Sequence, residues 1–502
     1  MHERQPADSE IVEKLDWSQA EFDDHPQDEC GVLAVYAPGE PVGRITYDGM
    51  QELQHRGQSG AGVAHDTADG RQLIVMRGNG LIDAAVPYTV PTRTDNMDAA
   101  FAPTMAIGHI RYSTSDSDSA SQPFYGEGHA FALAHNGHIE DMTELAVKYG
   151  VDASLAASDS HLLTLILGNA ATRNNQKMVN ALREVLPQID GAYSLTLTDG
   201  ERVVGARDPW GFHPLALGKL ESTQGYAIAS EAAAFKVMGA TFIRDIEPGE
   251  IVSIGQEGVV STRIDRQELR RTCMFEYIYI ARPDGVVDGA HVQLARESMG
   301  RHLANEHPVD ADVVIGVPDS GMDAAQGYAQ ASGIPFAPRA IMKNQYTGRS
   351  FIEREGKREQ TLLRKLRLST PQIEGKRLVI VDDSLIKGKT MGVLVDMLRQ
   401  AGAAEVHIRL AAPHYRYPCY MGMDTRQTWR LIARDRTDEE IAAYIGADSV
   451  GFNTSQNVEL AVQEARKSII KQPVGSLCTA CATGKYPFKV PLELSSKRPT
   501  SA

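Results

Sequence analysis

The chain has 502 residues, more than one hydrophobic core can use, so two or more domains are expected. Its 42% apolar and 23% charged residues are ordinary for a soluble globular protein, and five cysteines in so long a chain exclude a disulfide framework. The net charge of −14, with no apolar run of about 18 residues and no basic-then-apolar amino terminus, excludes a transmembrane span and a secretory signal. The expected location is the cytoplasm, with neither nucleic acid nor membrane as partner.

Residues 1–29 bury little and carry ten acids against Arg4 and Lys14, a net −8 of the −14. Cys30 follows at once, in Asp28-Glu29-Cys30-Gly31-Val32-Leu33-Ala34-Val35-Tyr36, at the head of an apolar strand. A cysteine there can start a strand as a buried core thiol. It can equally become a new amino terminus once a leader is removed, its α-amine titrating near neutrality and serving as base for its own thiol.

From 31 to 260 the pattern is one of short strands, expected at 32–36, 62–64, 73–77, 105–110, 130–133, 194–198, 203–206 and 251–253. Amphipathic stretches near 45–54 and 158–169 interrupt them, which predicts two layers of sheet covered by helices. Four short runs punctuate this half: His55-Arg56-Gly57-Gln58, Gly108-His109-Ile110-Arg111-Tyr112-Ser113-Thr114, Ala134-His135-Asn136-Gly137 and Ser158-Asp159-Ser160. Singly each reads as a turn, Asn-Gly being a common hairpin corner. As an ordered set behind Cys30-Gly31 they resemble the N-terminal-nucleophile glutamine amidotransferases. That resemblance implies that Cys30 attacks the side-chain amide of glutamine while Asn136 and the Gly137 N–H stabilise the oxyanion. It also implies that Arg111, with Tyr112 beside it, clamps the glutamine carboxylate and that Asp159 holds the α-ammonium.

The second half changes style. Continuous apolar strands at 312–317, 378–381 and 406–410 alternate with helices expected to about 332 and over 391–401, predicting a doubly wound parallel sheet. The run Arg377-Leu378-Val379-Ile380-Val381-Asp382-Asp383-Ser384-Leu385-Ile386-Lys387-Gly388-Lys389-Thr390 delivers two carboxylates to a strand's carboxyl end. A helix amino terminus follows, where backbone N–H groups with Lys387, Gly388, Lys389 and Thr390 form a phosphate cradle. The carboxylates suit ribose hydroxyls or a Mg²⁺ bound to pyrophosphate. A nucleotide P-loop is excluded, because Asp383 stands where its first glycine belongs. Nine basic residues against three acids between Arg339 and Arg367 fit a polyanionic ligand beside such a loop.

This half resembles the type I phosphoribosyltransferases, which bind phosphoribosyl pyrophosphate (PRPP). By that resemblance Val317-Pro318-Asp319-Ser320-Gly321 binds pyrophosphate and metal, with Ser320, Asp382 and Asp383 at the Mg²⁺. Lys343 opens the mobile catalytic loop that runs on through Asn344-Gln345-Tyr346-Thr347-Gly348-Arg349-Ser350-Phe351-Ile352.

Four cysteines remain: Cys273, Cys419, and the Cys-x-x-Cys pair Cys478 and Cys481. Such a pair alone could bind zinc, act in redox exchange or do nothing. Four thiolates this widely separated suit a [4Fe-4S] cluster stapling the carboxyl tail to the catalytic domains. With both halves and the quartet in place, the chain resembles the amidophosphoribosyltransferases of the iron–sulfur, propeptide-containing type. The implied order is a propeptide (1–29), an α-β-β-α N-terminal-nucleophile sandwich (30–260), a phosphoribosyltransferase domain carrying the cluster ligands (261–487) and a disordered tail (488–502). The fold class is thus α/β and α+β. The resemblance further implies formation of 5-phosphoribosylamine by ammonia released from glutamine, a homotetramer and inhibition by purine nucleotides.

The match is imperfect, chiefly in the PRPP half. Lys387 and Lys389 stand where the family has Arg and Thr, and Phe351-Ile352-Glu353-Arg354 lacks a usual Gln-Pro. Arg207-Asp208-Pro209-Trp210-Gly211-Phe212-His213-Pro214 varies a usual Asp-Pro-His-Gly-Ile-Arg-Pro turn. Two alternatives therefore accompany the main reading: a paralogue with glutaminase activity and another or a lost acceptor, and a non-catalytic regulatory subunit.

Overall fold

A computed structural model describes residues 30–67, 72–86, 103–112, 121–126, 130–173, 177–222, 224–344, 366–423, 425, 428–467 and 476–490. The acidic leader, Ser113-Thr114 and the expected catalytic loop beyond Asn344 lie outside the described residues.

The first half contributes β1 (Gly31–Tyr36), β2 (Gly60–Asp66), β3 (Leu73–Asn79), β4 (Met105–Arg111), β5 (Phe124–Gly126), β6 (Phe131–His138) and β7 (Ala192–Thr198). It continues with β8 (Val203–Arg207), β9 (Ala216–Leu220), β10 (Tyr226–Ala229), β11 (Ala240–Asp245), β12 (Glu250–Gly255) and β13 (Gly258–Arg263). They form two antiparallel sheets, ordered β11-β9-β10-β1-β4-β2-β3 and β13-β12-β8-β7-β6-β5. Alternation along β1 shows why these layers stack. Val32, Ala34 and Tyr36 pack with Ile107, Ala132, Ala134 and Val252 between the sheets. Leu33 and Val35 face the other way, against Val42, Met50 and Phe235 from covering helices. Leu133 and Leu195 likewise meet the helix Asp159–Arg173 on the far side. Four layers result, helix–sheet–sheet–helix, as the strand pattern predicts.

One local alternative is excluded. Asn136-Gly137 is no hairpin corner: β6 runs through it, with Asn136 opposite Ser194 and Gly137 opposite Tyr193. The strand therefore extends past the expected 133. Gly137 sits at φ +138, and a Cβ there would lie 2.1 Å from the Ala192 carbonyl oxygen, so the position takes only glycine.

The second half contains β14 (Val286–Val287), β15 (Ala290–His291), β16 (Val313–Gly316), β17 (Ile341–Lys343), β18 (Leu366–Leu368), β19 (Arg377–Asp382), β20 (Glu405–Leu410) and β21 (Ser449–Phe452). Strands β16-β19-β20-β21 form a parallel sheet. Val314, Val379 and Val381 pack on one side with the helices Val292–Glu306 and Met322–Ser332. Ile315, Leu378 and Ile380 pack on the other with Lys389–Gln400 and Asp438–Ile445. Both faces are covered, which explains the unbroken apolar runs.

The carboxyl segment does not simply trail away. Phe488 packs on Trp210 at 5.2 Å between ring centroids and meets Phe212 edge-on, so the described start of the expected disordered tail is anchored. Residues 491–502 lie outside the described residues.

Candidate active sites

The first site gathers at one end of the double sheet. Gly31 pairs with Ile110 across antiparallel β1 and β4, which sets Cys30 level with Arg111 at the strand ends. The facing sheet brings Asn136-Gly137 to the same end, the two layers being joined there by His109 Nε2 and the His135 carbonyl at 3.2 Å. Gly57 presses against the Arg111 carbonyl carbon and Tyr112 nitrogen, where a Cβ would stand 2.5 and 2.8 Å from them.

Asn136 is buried, and among the described residues its amide nitrogen Nδ2 has no hydrogen-bond partner. Natural interiors rarely leave such a donor idle, so it marks a place for an acceptor that is not part of the chain. Asp159 begins its helix and accepts from the Ile139 N–H at 3.0 Å, just past β6. Burial pushes its carboxyl up, but His138, His135 and that N–H outweigh it and hold Asp159 well below the usual range. An ionised carboxylate there suits an ammonium group. Burial also pushes His109 down to about 3 and lowers His135. His135 is tied to Ser160 Oγ at 2.9 Å and to the Ala192 carbonyl at 3.1 Å.

The second site lies at the carboxyl end of the parallel sheet. Asp382 closes β19, and its Oδ1 accepts from the Asp383 N–H at 2.9 Å. The Asp383 carboxylate accepts from Ser384 Oγ at 2.6 Å. The loop before Gly321 folds over the same strand end, since a Cβ on Gly321 would stand 3.1 Å from the Asp382 Cα. Ser320 is thereby brought beside the acidic pair. Lys343 reaches Asp319 at 2.9 Å, which places this expected PRPP ligand at the same loop. Gly388 takes φ +82 as the cap before the helix Lys389–Gln400, so Lys389 and Thr390 occupy its first turn and Lys387 precedes it. Among the described residues no three His, Cys, Asp or Glu side chains are grouped as a single bound ion requires.

The four remaining cysteines converge. Cys273 bridges Cys478 as parallel backbone. The Cys481 carbonyl accepts from the Arg416 and Tyr417 N–H groups at 2.8 and 2.9 Å, and Met421 N–H points at Cys419 Sγ at 3.3 Å. Burial, reinforced by the other cysteines, pushes Cys273 and Cys481 far up and Cys478 to about 12. None is in a disulfide.

The motif reading missed how a buried charge network joins these regions. Arg56 Nε donates to the Cys30 carbonyl at 3.0 Å, and its guanidinium pairs with Glu231 at 2.7 Å and Glu276 at 2.8 Å. His213 Nδ1 meets Glu276 at 3.1 Å. Arg56 and His213 lie inside quoted motifs, but nothing in sequence links them to Glu231 and Glu276 so far away.

The chain also matches known proteins. The profile of a glutamine amidotransferase domain matches residues 109–237, and that of a phosphoribosyl transferase domain matches residues 286–432. It is 41% identical to an amidophosphoribosyltransferase of Mycobacterium tuberculosis H37Rv, over 93% of this chain and 88% of that one. It is 39% identical to the amidophosphoribosyltransferase of Bacillus subtilis 168, over 92% of this chain and 95% of that one. The solved B. subtilis glutamine PRPP amidotransferase, complexed with ADP and GMP, superposes with a TM-score of 0.80 at 36% identity, covering 93% of this chain and 99% of that one.

Proposed function

The chain belongs to the amidophosphoribosyltransferases and performs the glutamine-dependent first step of purine biosynthesis; from that premise we propose how its own residues divide the work. Cys30, exposed as an amino terminus by loss of residues 1–29, attacks the glutamine amide; its α-amine takes the thiol proton and passes it to the departing ammonia, and water then hydrolyses the γ-glutamyl thioester to glutamate. The Asn136 amide and the Gly137 N–H receive the oxyanion. Arg111 and Tyr112 hold the glutamine carboxylate and Asp159 its ammonium. The idle, buried Asn136 amide carries this reading, because a donor without an acceptor is what an oxyanion hole looks like before substrate arrives.

In the second domain Lys387, Lys389, Thr390 and the N–H groups after Gly388 grip the PRPP 5-phosphate, aided by the helix dipole. Asp382 and Asp383 orient the ribose. Lys343 stands at the pyrophosphate end beside Asp319. Ser320, Asp382 and Asp383 would hold Mg²⁺, an ion usually bound by one or two carboxylates plus substrate phosphates, which suits this donor set. When bound it neutralises charge on the departing pyrophosphate.

Converging, undisulfided thiols, two buried and two half-buried, fit a [4Fe-4S] cluster, whose several irons need four thiolates at a wider spacing than one ion does. Its role here is structural, since its ligands lie outside both reaction motifs. We draw the domains at 30–260 and 261–487, noting that Ile264 still packs in the first core and Cys273 in the second. A homotetramer, purine nucleotide feedback and a cytoplasmic site are proposed on family grounds. No helix among the described residues is long and apolar enough to cross a membrane. The test is pyrophosphate release from PRPP with glutamine or with ammonia; release with neither would overturn the proposed roles of the second-domain residues.

A further inference from the structure

His213 stands at the meeting of the two domains with both ring nitrogens engaged. Nδ1 faces Glu276 Oε1 at 3.1 Å and Nε2 faces the Met421 carbonyl at 2.8 Å. A carboxylate and a carbonyl are both acceptors, so both bonds form together only when both nitrogens carry hydrogens. The ring and Glu276 are buried, which raises the value of each bond and the cost of losing it.

Each end of this bridge reaches the glutamine site. On one side Glu276 shares its carboxylate with Arg56, whose Nε holds the Cys30 carbonyl at 3.0 Å. On the other, Met421 leads directly into Gly422, at φ +136, which lies against the oxyanion-hole glycine: a Cβ on Gly422 would stand 3.5 Å from Gly137 Cα and 3.3 Å from His213 Nε2. The second domain therefore supplies a backbone roof over Gly137, and one imidazole fastens that roof to the carboxylate that anchors the nucleophile's support. Burial works against the Glu276 charge, yet Arg56 and His213 hold its carboxyl below the ordinary range.

We propose that His213 is a positioning residue for glutamine hydrolysis, fixing the Met421-Gly422 peptide against Gly137 and, through Glu276 and Arg56, the Cys30 backbone. The proposal rests on the reading of Cys30, Asn136 and Gly137 as the glutamine site. An oxyanion hole acts on the transition state and depends on sub-ångström placement of its donors, so loosening the roof lowers kcat for glutamine and spares its binding. Arg111, Tyr112 and Asp159 hold the substrate and are not part of the bridge.

Steady-state kinetics of the purified holoenzyme with glutamine, and separately with ammonia, test this in His213→Gln and His213→Arg. A glutamine side chain cannot donate from two sides at once, and kcat with glutamine should fall roughly tenfold to a hundredfold, with the glutamine KM changed less than about twofold. Ammonia-dependent turnover should stay at the wild-type level. Arginine, with donors spread over its guanidinium, should recover most of the lost kcat. Equal loss of both activities in His213→Gln, a change confined to KM, an unaltered kcat, or no recovery in His213→Arg would each overturn the positioning role. Cys30→Ala, run in parallel, separates the two readings: if it retains glutamine-dependent turnover, the assignment of the glutamine site itself is wrong.

Discussion

Arg56 and Glu276, 220 positions apart, face each other fork to fork across the domain boundary, Nη2 to Oε1 at 2.8 Å and Nη1 to Oε2 at 3.1 Å, with both side chains wholly buried. Arg56 Nη1 also donates to Glu231 Oε1 at 2.7 Å, so one cation serves two carboxylates. Such an arrangement adds little net stability over apolar packing, but it punishes the loss of one member. Arg56→Met should destabilise the protein by about 3–5 kcal/mol, because Glu231 and Glu276 would then be buried without their cation. Urea unfolding checks this; a loss under about 1 kcal/mol would show that the pair is solvated in solution.

The same network fixes an acid limit. Burial pushes the Glu231 carboxyl up, but His55, Arg56 and the Arg282 N–H outweigh it and hold it far below its ordinary value of 4.5. Glu276 is lowered as well. For depressed carboxyls the folded state binds fewer protons than the unfolded one, so their stabilisation is complete above about pH 4.5 and is lost as pH falls below it. Unfolding midpoints in urea should therefore fall steeply below that point, and less steeply in Glu231→Gln. An identical acid slope in the two proteins would assign the effect to other groups.

Much of this architecture could be read from residues. The Asp382-Asp383 pair was legible because a buried parallel strand reads as an unbroken apolar run ending in its functional groups. The place of Cys30 at the head of β1 was legible because an apolar run starts directly behind it. Strands β9 and β10 escaped notice because Ala-Leu-Gly-Lys-Leu and Tyr-Ala-Ile-Ala are short and poor in β-branched residues. The strand course of Asn136-Gly137 was hidden by its likeness to a hairpin corner, a local preference that pairing with β7 overrides. The Arg56–Glu276–His213 bridge was invisible because only the folded chain brings its members together.

Removal of the leader should be required for glutamine use, since Cys30 has no adjacent His in sequence to act as base. Cys30→Ala should abolish glutamine-dependent turnover while ammonia is still consumed. Amino-terminal sequencing of active protein should begin at Cys30. Active protein that still begins at Met1 would rule out the N-terminal-nucleophile mechanism.

The cysteine quartet should hold iron and sulfide. Phe212 accepts from the Cys273 N–H at 2.9 Å, and Trp210, Phe212, Tyr420 and Phe488 pack around Cys419 and Cys478, so the quartet knits the tail to both domains. Cys478→Ser is expected to lack broad visible iron–sulfur absorption and to be unstable or insoluble. Wild-type protein prepared anaerobically and found to contain zinc without iron would refute the cluster.

Lys389 is where this chain departs most sharply from the pattern it resembles. It opens the helix Lys389–Gln400 directly after Gly388, in the first turn, where the backbone N–H groups and the dipole attract phosphate. An ammonium in that turn adds attraction that a threonine hydroxyl lacks, and a lost charge-assisted contact costs about 1.5–3 kcal/mol. If Lys389 grips the 5-phosphate, Lys389→Thr should weaken PRPP binding on the order of tenfold to a hundredfold. Lys387 would remain, so binding should be reduced rather than abolished. Glutaminase activity measured without PRPP should be unchanged, because the substitution is remote from Cys30 and Asn136. Calorimetric titration with PRPP decides between the alternatives. Unchanged or tighter binding in Lys389→Thr would mean that the loop tolerates Lys389 and that the N–H groups with Lys387 and Thr390 hold the phosphate.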